Sequence, residues 1–284
     1  MDYLKDISEV RKKISKYKKN NKSIGLVPTM GALHKGHVSL IESSKKSCDI
    51  TVVSVFVNPI QFGPNEDFHK YPRPIEQDIK ICEEVGVDIL FNPTVEEIIG
   101  DNLKTFVDIS DLGDNLCGAK RPSHFRGVAT IVSKLFNITT PNRAFFGKKD
   151  IQQLYIIKKM VEDLNFNIEI IPCSIIREAD GLAMSSRNRY LSEKERIDSL
   201  VINRTLKEAV KLIEDGELSS KNIISFFENK IKEINSAKID YVNVVDENMK
   251  NVELIEKGNI IAIAVYIGKT RLIDNHIIGE KICW

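Results

Sequence analysis

Three features of the chain predict an α/β protein, a Rossmann-like doubly wound parallel sheet followed by a smaller C-terminal α+β domain. Buried-strand patterns alternate with amphipathic helical patterns through the first two thirds of the 284 residues, as in a parallel sheet covered on both faces. Three polar or glycine-bearing segments begin where a candidate strand stops, and after Asn188 the order changes to helices followed by strands. The length allows two modest cores, and the expected division is into residues 1–174 and 175–284.

In chain order, Leu4, Ile7, Val10, Ile14 and Tyr17 recur at helical spacing, so Arg11, Lys12, Lys13, Lys18 and Lys19 read as the solvated face of that helix. Residues 23–27 read as a short buried strand, and Val38, Ile41 and Cys48 share one face of the segment after it. Further strands are expected at 50–57, 88–91, 143–146 and 168–172. Between them, Ile75, Ile79, Cys82 and Val85 form one helical face, Phe125, Val128, Val132 and Leu135 a second, and Ile151, Leu154, Ile157, Val161 and Leu164 a third. Beyond residue 188, Ser192 with Glu195 reads as a capping box and Ser219 as a second helix start; strands follow at 239–245 and 260–267.

The formal net charge is +1, from 41 basic and 40 acidic side chains, so no overall field draws in nucleic acid or an anionic membrane. Five scattered cysteines, Cys48, Cys82, Cys117, Cys173 and Cys283, lack any C-x-x-C pair and suit reduced thiols. The first residues are too charged for a signal peptide, and the most hydrophobic run, 260–267, is far too short to span a bilayer. A cytoplasmic protein with no nucleic-acid or membrane partner is expected.

The most informative segment is Pro28-Thr29-Met30-Gly31-Ala32-Leu33-His34-Lys35-Gly36-His37, which puts two imidazoles and two glycines where a strand hands over to a helix. Unpaired N–H groups and the dipole of a helix start favour a phosphate there, and histidines three apart project the same way. Gly31 and Gly36 have Walker A spacing, yet His37 and Val38 stand where lysine and Ser/Thr are required. No H-E-x-x-H pattern supports zinc. Gly147-Lys148-Lys149-Asp150 repeats the strand-to-helix logic with cations added; Asp150 and Gln153 also have capping-box spacing, which needs no ligand. Asn58 and Gln61 follow a β-branched strand stopped by Pro59, and their amides suit a hydroxyl and a carboxylate. Arg121 and His124 precede a helix and either meet a substrate carboxylate or solvate a loop. Met184-Ser185-Ser186-Arg187 lies in a Gly-, Ser- and Arg-rich connection. Asp78 is the one carboxylate offered for magnesium, which leans on substrate phosphates more than on sequence spacing.

The decapeptide resembles the H-x-G-H nucleotidyltransferase superfamily, and its full length resembles the pantoate-beta-alanine ligase family within it. Four more stretches resemble that family in the same order: FVNPIQFG from Phe56, RPSHFRGVAT from Arg121, FGKKDIQQ from Phe146 and READGLAMSSRN from Arg177. The resemblance implies that Met30, Gly31, Ala32, Leu33, His34, Lys35, Gly36 and His37 bind ATP together with Gly147, Lys148, Lys149, Asp150, Ile176, Met184, Ser185, Ser186 and Arg187. It implies that Gln61 and Gln153 hold pantoate, with Asn58, Pro28, Thr29 and Met30 beside them, and that His37, His34, Lys149 and Arg187 carry the catalysis. Residues 184–187 are similar to the mobile Lys-Met-Ser-Lys-Ser loop of related adenylating enzymes. The substrates implied are pantoate, beta-alanine and ATP, with Mg2+, in a homodimer whose second domain acts as a lid. The family pattern carries a second acid where Gln77 stands, so no metal ligand is assigned. Two alternatives remain open: an H-x-G-H transferase that leaves its nucleotide on the product, and a non-catalytic ATP- or RNA-binding relative.

Overall fold

Six parallel strands build the larger sheet of this computed structural model, which describes residues 1–64 and 66–281; Cys283 lies outside them. The strands are β1 Asp2–Leu4, β2 Ile24–Thr29, β3 Ile50–Val55, β4 Ile89–Phe91, β5 Arg143–Gly147 and β6 Glu169–Cys173. Their order is β1-β4-β3-β2-β5-β6, so the chain steps outward in one direction from β2 to β4 and in the other from β5 to β6. The carboxyl ends of β2 and β5 therefore flank the reversal of strand order, where open α/β sheets bind ligands.

The helices are α1 Ile7–Lys19, α2 Lys35–Ser47, α3 Ile75–Val85, α4 Val95–Ile99, α5 Leu116–Lys120, α6 His124–Thr139, α7 Ile151–Asp163, α8 Glu193–Glu214 and α9 Ser220–Lys232. The chain divides into two compact units. The first comprises Met1–Gly113, Arg121–Lys148 and Gln153–Cys173, and the second Asp114–Lys120, Lys149–Gln152 and Ser174–Trp284. In the first unit α1 packs with α6 and α2 with α3. Residues Val27, Leu33, Ile41, Val53, Val55, Cys82, Leu90 and Phe145 share one apolar core. The helix α2 lies so close to β2 that a Cβ on Gly25 would sit 2.2 Å from Ser44 Oγ. Leu4, expected at the start of a helix, belongs to β1, where Tyr3 pairs with Leu90; three residues are too few to show a period of two.

The second unit packs α8 and α9 on an antiparallel sheet of β7 Ala237–Val245, β8 Ile260–Ile267 and β9 Thr270–Ile277. Leu206, Ile223, Phe227, Val244, Ile263 and Val265 are wholly buried between these layers. The capping box forms as expected: Ser192 Oγ accepts from Glu195 N, and Glu195 accepts from Ser192 N at 2.9 Å. β9 was not foreseen. Its sequence TRLIDNHI places Asp and Asn, both poor strand formers, where an apolar alternation would have marked a strand.

Candidate active site

The turn from β2 into α2 is closed by its own side chains. His34 is the N-cap of α2; its Nδ1 accepts from Gly36 N at 3.1 Å, and His37 Nδ1 accepts from His34 N at 3.3 Å. Two imidazoles thus form a capping box usually made by Ser and Glu, and their rings lie 4.1 Å apart. Because each Nδ1 receives a proton from the backbone, a neutral ring carries its own proton on Nε2. Both rings are set as Nε2–H donors.

The loop before them is held from α3. Asp78, 1% exposed, accepts from Ala32 N at 2.9 Å and from Leu33 N at 2.7 Å, while Gly31 N donates to Thr29 Oγ1 at 3.0 Å. A Cβ on Gly31 would lie 2.8 Å from both Asp78 Oδ2 and Val55 Cγ1, and its φ is +81°; only glycine fits. The expectation that unpaired backbone N–H groups cradle a phosphate here needs correction, since those of Gly31, Ala32, Leu33, Gly36 and His37 each have an acceptor in the protein. Asp78, offered above for a metal, uses both carboxylate oxygens on this loop. No group of three or more His, Cys, Asp or Glu among the described residues is arranged to hold a metal. Cys82, one turn beyond Asp78, is a buried thiol pushed up to about 12 by desolvation and by the charge of Asp78, and it has no reactive character.

A second corner forms around Gln61, in the 3-10 turn Pro59–Gln61 that follows β3. Asn58 is 2% exposed. Its Nδ2 donates to Gln61 Oε1 at 2.9 Å and to Gly127 O at 3.1 Å, and its Oδ1 accepts from Ile60 N at 3.2 Å. The amide expected to meet substrate is therefore engaged inside the protein, and what it does is orient Gln61. With Oε1 so engaged, Gln61 Nε2 points to Met30 Sδ at 3.1 Å, which brings two expected substrate contacts together. Gly127 lets α6 approach: a Cβ there would meet Ile60 O at 2.3 Å and Gln61 N at 2.8 Å.

Arg121 and His124 brace the same turn from behind. His124 Nδ1 donates to Gln61 O at 2.7 Å, leaving Nε2 to accept from Arg121 Nη1 at 3.0 Å. Arg121 Nε donates to Glu66 Oε1 at 2.7 Å, and Nη2 completes a bidentate pair on Oε2. Burial resists ionisation of Glu66, but the hydrogen bonds and charge of Arg121 outweigh it and hold the carboxyl below its ordinary range. Between a substrate contact and a loop brace, the hydrogen bonds in the structure are those of a brace.

In the second unit, Lys149 lies in the 3-10 turn Lys148–Asp150 between β5 and α7, with Nζ 3.7 Å from Asp150 Oδ2. Gln152, the neighbour of the expected Gln153, is buried; it accepts from Cys117 N at 3.0 Å and donates to Asn115 O at 2.7 Å. Gln153 is half-buried. Ile176 and Met184 close a small hairpin through Met184 N to Ile176 O at 2.9 Å. Arg177 ties that hairpin to β9 by a buried bidentate pair with Asp274, 2.6 and 3.0 Å. Ser185 caps the 3-10 turn Ser186–Tyr190 by accepting from Arg187 N at 3.3 Å, and Ser186 is buried. By accepting that bond Ser185 Oγ also fixes the backbone that carries Arg187. Asp274 and Asn275 were missed by sequence reasoning, and the one available signal was a pair of polar residues inside an otherwise apolar strand.

The family model described as pantoate-beta-alanine ligase matches residues 2–277. The pantothenate synthetase of Clostridium novyi (strain NT) is 54% identical over 280 residues, covering 98% of this chain and 99% of its own. A crystal structure of pantothenate synthetase from Thermus thermophilus superposes with a TM-score of 0.93 at 38% identity, covering 98% of this chain and 99% of that one. The pantoate-beta-alanine ligase of Francisella tularensis, solved in complex with beta-gamma ATP and beta-alanine, is similar with a TM-score of 0.79 at 35% identity, covering 99% of each chain.

Proposed function

The chain belongs to the pantoate-beta-alanine ligase family, and from that premise we propose that it condenses pantoate with beta-alanine at the expense of ATP, forming an amide bond and releasing AMP and pyrophosphate. The observation that best supports the chemistry is the pair of imidazoles held as Nε2–H donors at the end of β2. No Ser or Cys nucleophile is set beside a base in these motifs, and donors and cations of this kind stabilise charge rather than form a covalent enzyme intermediate.

In the first step a carboxylate oxygen of pantoate attacks the α-phosphorus in line and the bond to the β-phosphate oxygen breaks, giving pantoyl adenylate and pyrophosphate. His34 and His37 donate to the phosphates, and Lys149 and Arg187 answer the negative charge that moves to the leaving group. Gln61 and Gln153 hold pantoate, Asn58 fixes the orientation of Gln61, and Met30, Thr29 and Pro28 border the same corner. In the second step the amine of beta-alanine attacks the adenylate carbonyl, AMP leaves with the bonding electron pair, and the amine loses a proton. Met184 to Arg187 act as the segment that keeps water from the mixed anhydride. Gly147, Lys148, Asp150, Ile176 and the segment from Gly31 to Gly36 border ATP in this reading, with the main-chain N–H groups of Gly31, Ala32, Leu33 and Gly36 kept by the protein.

A magnesium ion accompanying ATP would supply positive charge to the triphosphate, and Asp78 would not be offered to it because its oxygens hold the backbone of residues 32 and 33. Residues 1–174 then serve as the nucleotide- and pantoate-binding domain and residues 175–284 as the lid, although Lys149 clusters with the second unit. We place the enzyme in the cytoplasm as a homodimer; no described helix is long and apolar enough to cross a membrane.

Pyrophosphate release is the test. Purified enzyme with ATP and pantoate, without beta-alanine, should release about one equivalent per site, and His37→Ala should slow that burst by roughly a hundredfold, the scale of losing one transition-state donor. Release that requires beta-alanine, or a burst untouched by the substitution, would refute the assignment.

A further inference from the structure

The strand β9 carries adjacent polar residues that are almost wholly buried, Asp274 at 3% and Asn275 at 4% exposure. Neighbours along a strand point to opposite faces, and these two serve different segments. Asp274 takes Arg177 of the hairpin. Asn275 Nδ2 donates to the main-chain carbonyl of Lys149 at 2.8 Å. Burial of an amide disfavours a strand position unless its hydrogen bonds are met, and an apolar side chain would pack the sheet as well. What an apolar side chain cannot do is hold the Lys149 carbonyl.

We propose that Asn275 is a positioning residue for adenylation, acting through Lys149. The proposal rests on the reading that Lys149 acts on the triphosphate. A lysine is a point charge on a flexible stem, so its placement depends on where its Cα is pinned. Lys149 sits at a junction, after the last residue of β5 and before the first turn of α7. The hydrogen bond from Asn275 fixes the peptide that follows its Cα. Asp274 in turn accepts from Asn275 N at 2.9 Å, which steadies the donor itself. Two cation-bearing segments of the second unit thus depend on one edge strand.

The test is a double-substitution cycle on the full enzyme, read as pantoate-dependent pyrophosphate release at saturating ATP. Asn275→Ala should lower kcat by about tenfold while pantoate KM stays within roughly twofold, and Asn275→Asp, of the same size but facing the carbonyl with an acceptor, should lose at least as much. In a Lys149→Ala background neither substitution should slow the reaction further. Thermal melting checks folding; if Asn275→Ala does not fold, the isosteric Asn275→Asp carries the cycle. Equal losses in both backgrounds, or no loss from either Asn275 variant where Lys149→Ala is damaging, would overturn the positioning role alone. A Lys149→Ala enzyme as fast as wild type would instead overturn the role assigned to Lys149, and the inference with it.

Discussion

His34 and His37 are fixed by backbone groups no more than three residues away, whereas Lys149 and the 176–184 hairpin are fixed from β9, across 126 and 97 positions of sequence. The first arrangement is complete once β2 and α2 exist, because the rings close their own helix start. The second exists only when the C-terminal sheet is in register. A cation on a flexible stem gains direction from a remote strand, while an imidazole at an N-cap gains it from its own turn.

The comparison breaks most readily at Asp274. Asp274→Ala leaves the Arg177 guanidinium buried without its carboxylate, and the loss in unfolding free energy should be about 3–5 kcal/mol. A urea midpoint that stays in place would show that the hairpin, like the histidine turn, holds itself. Gly31→Ala tests the local side: a left-handed backbone and a Cβ 2.8 Å from Asp78 Oδ2 should cost about 2 kcal/mol of stability. Wild-type melting would mean that the loop has room the structure does not show. Gln61→Ala should weaken pantoate kcat/KM by about 1.5 kcal/mol with ATP KM unaltered, and unchanged pantoate kinetics would remove Gln61 from the site.

The smallest expected effects are in pH. Burial lowers the pKa of His276 on β9 below its ordinary 6.5, with Glu280 and Asp274 opposing and Arg177 assisting. The folded ring stays neutral while the unfolded one takes up a proton, so stability is complete above 6.5 and falls as pH drops from there toward the folded pKa. Glu66 in the first unit is held below its ordinary 4.5, so its contribution is present above 4.5 and lost as pH falls through the folded value. Melting curves against pH should lose part of their slope just below 6.5 in His276→Gln and only below 4.5 in Glu66→Gln. The same slopes in both variants would mean that neither group reports its own unit.

The same contrast governs what could be read from sequence. The histidine turn was legible because both rings and the backbone groups that fix them lie in one decapeptide, and the β-branched strand at 50–55 announced itself by composition. Asn58 looked like a substrate amide because sequence does not reveal that Gly127, 69 positions on, brings α6 against it. β1 was too short to show a period, and β9 hid behind Asp274 and Asn275, whose polarity makes sense only beside Arg177 and Lys149. The backbone amides of the turn from β2 into α2 were expected to be open, but Asp78 lies 45 and 46 residues from the loop it fills. Apart from β1, each miss is a long-range hydrogen bond made by a residue whose type suits several roles.

In the proposed reaction the pantoate carboxylate itself attacks the α-phosphorus. Turnover of pantoate labelled with oxygen-18 in its carboxylate, with beta-alanine and unlabelled ATP, tests it most directly by mass spectrometry of the AMP formed. Attack by the carboxylate leaves one labelled oxygen in each AMP; AMP free of label would rule that attack out.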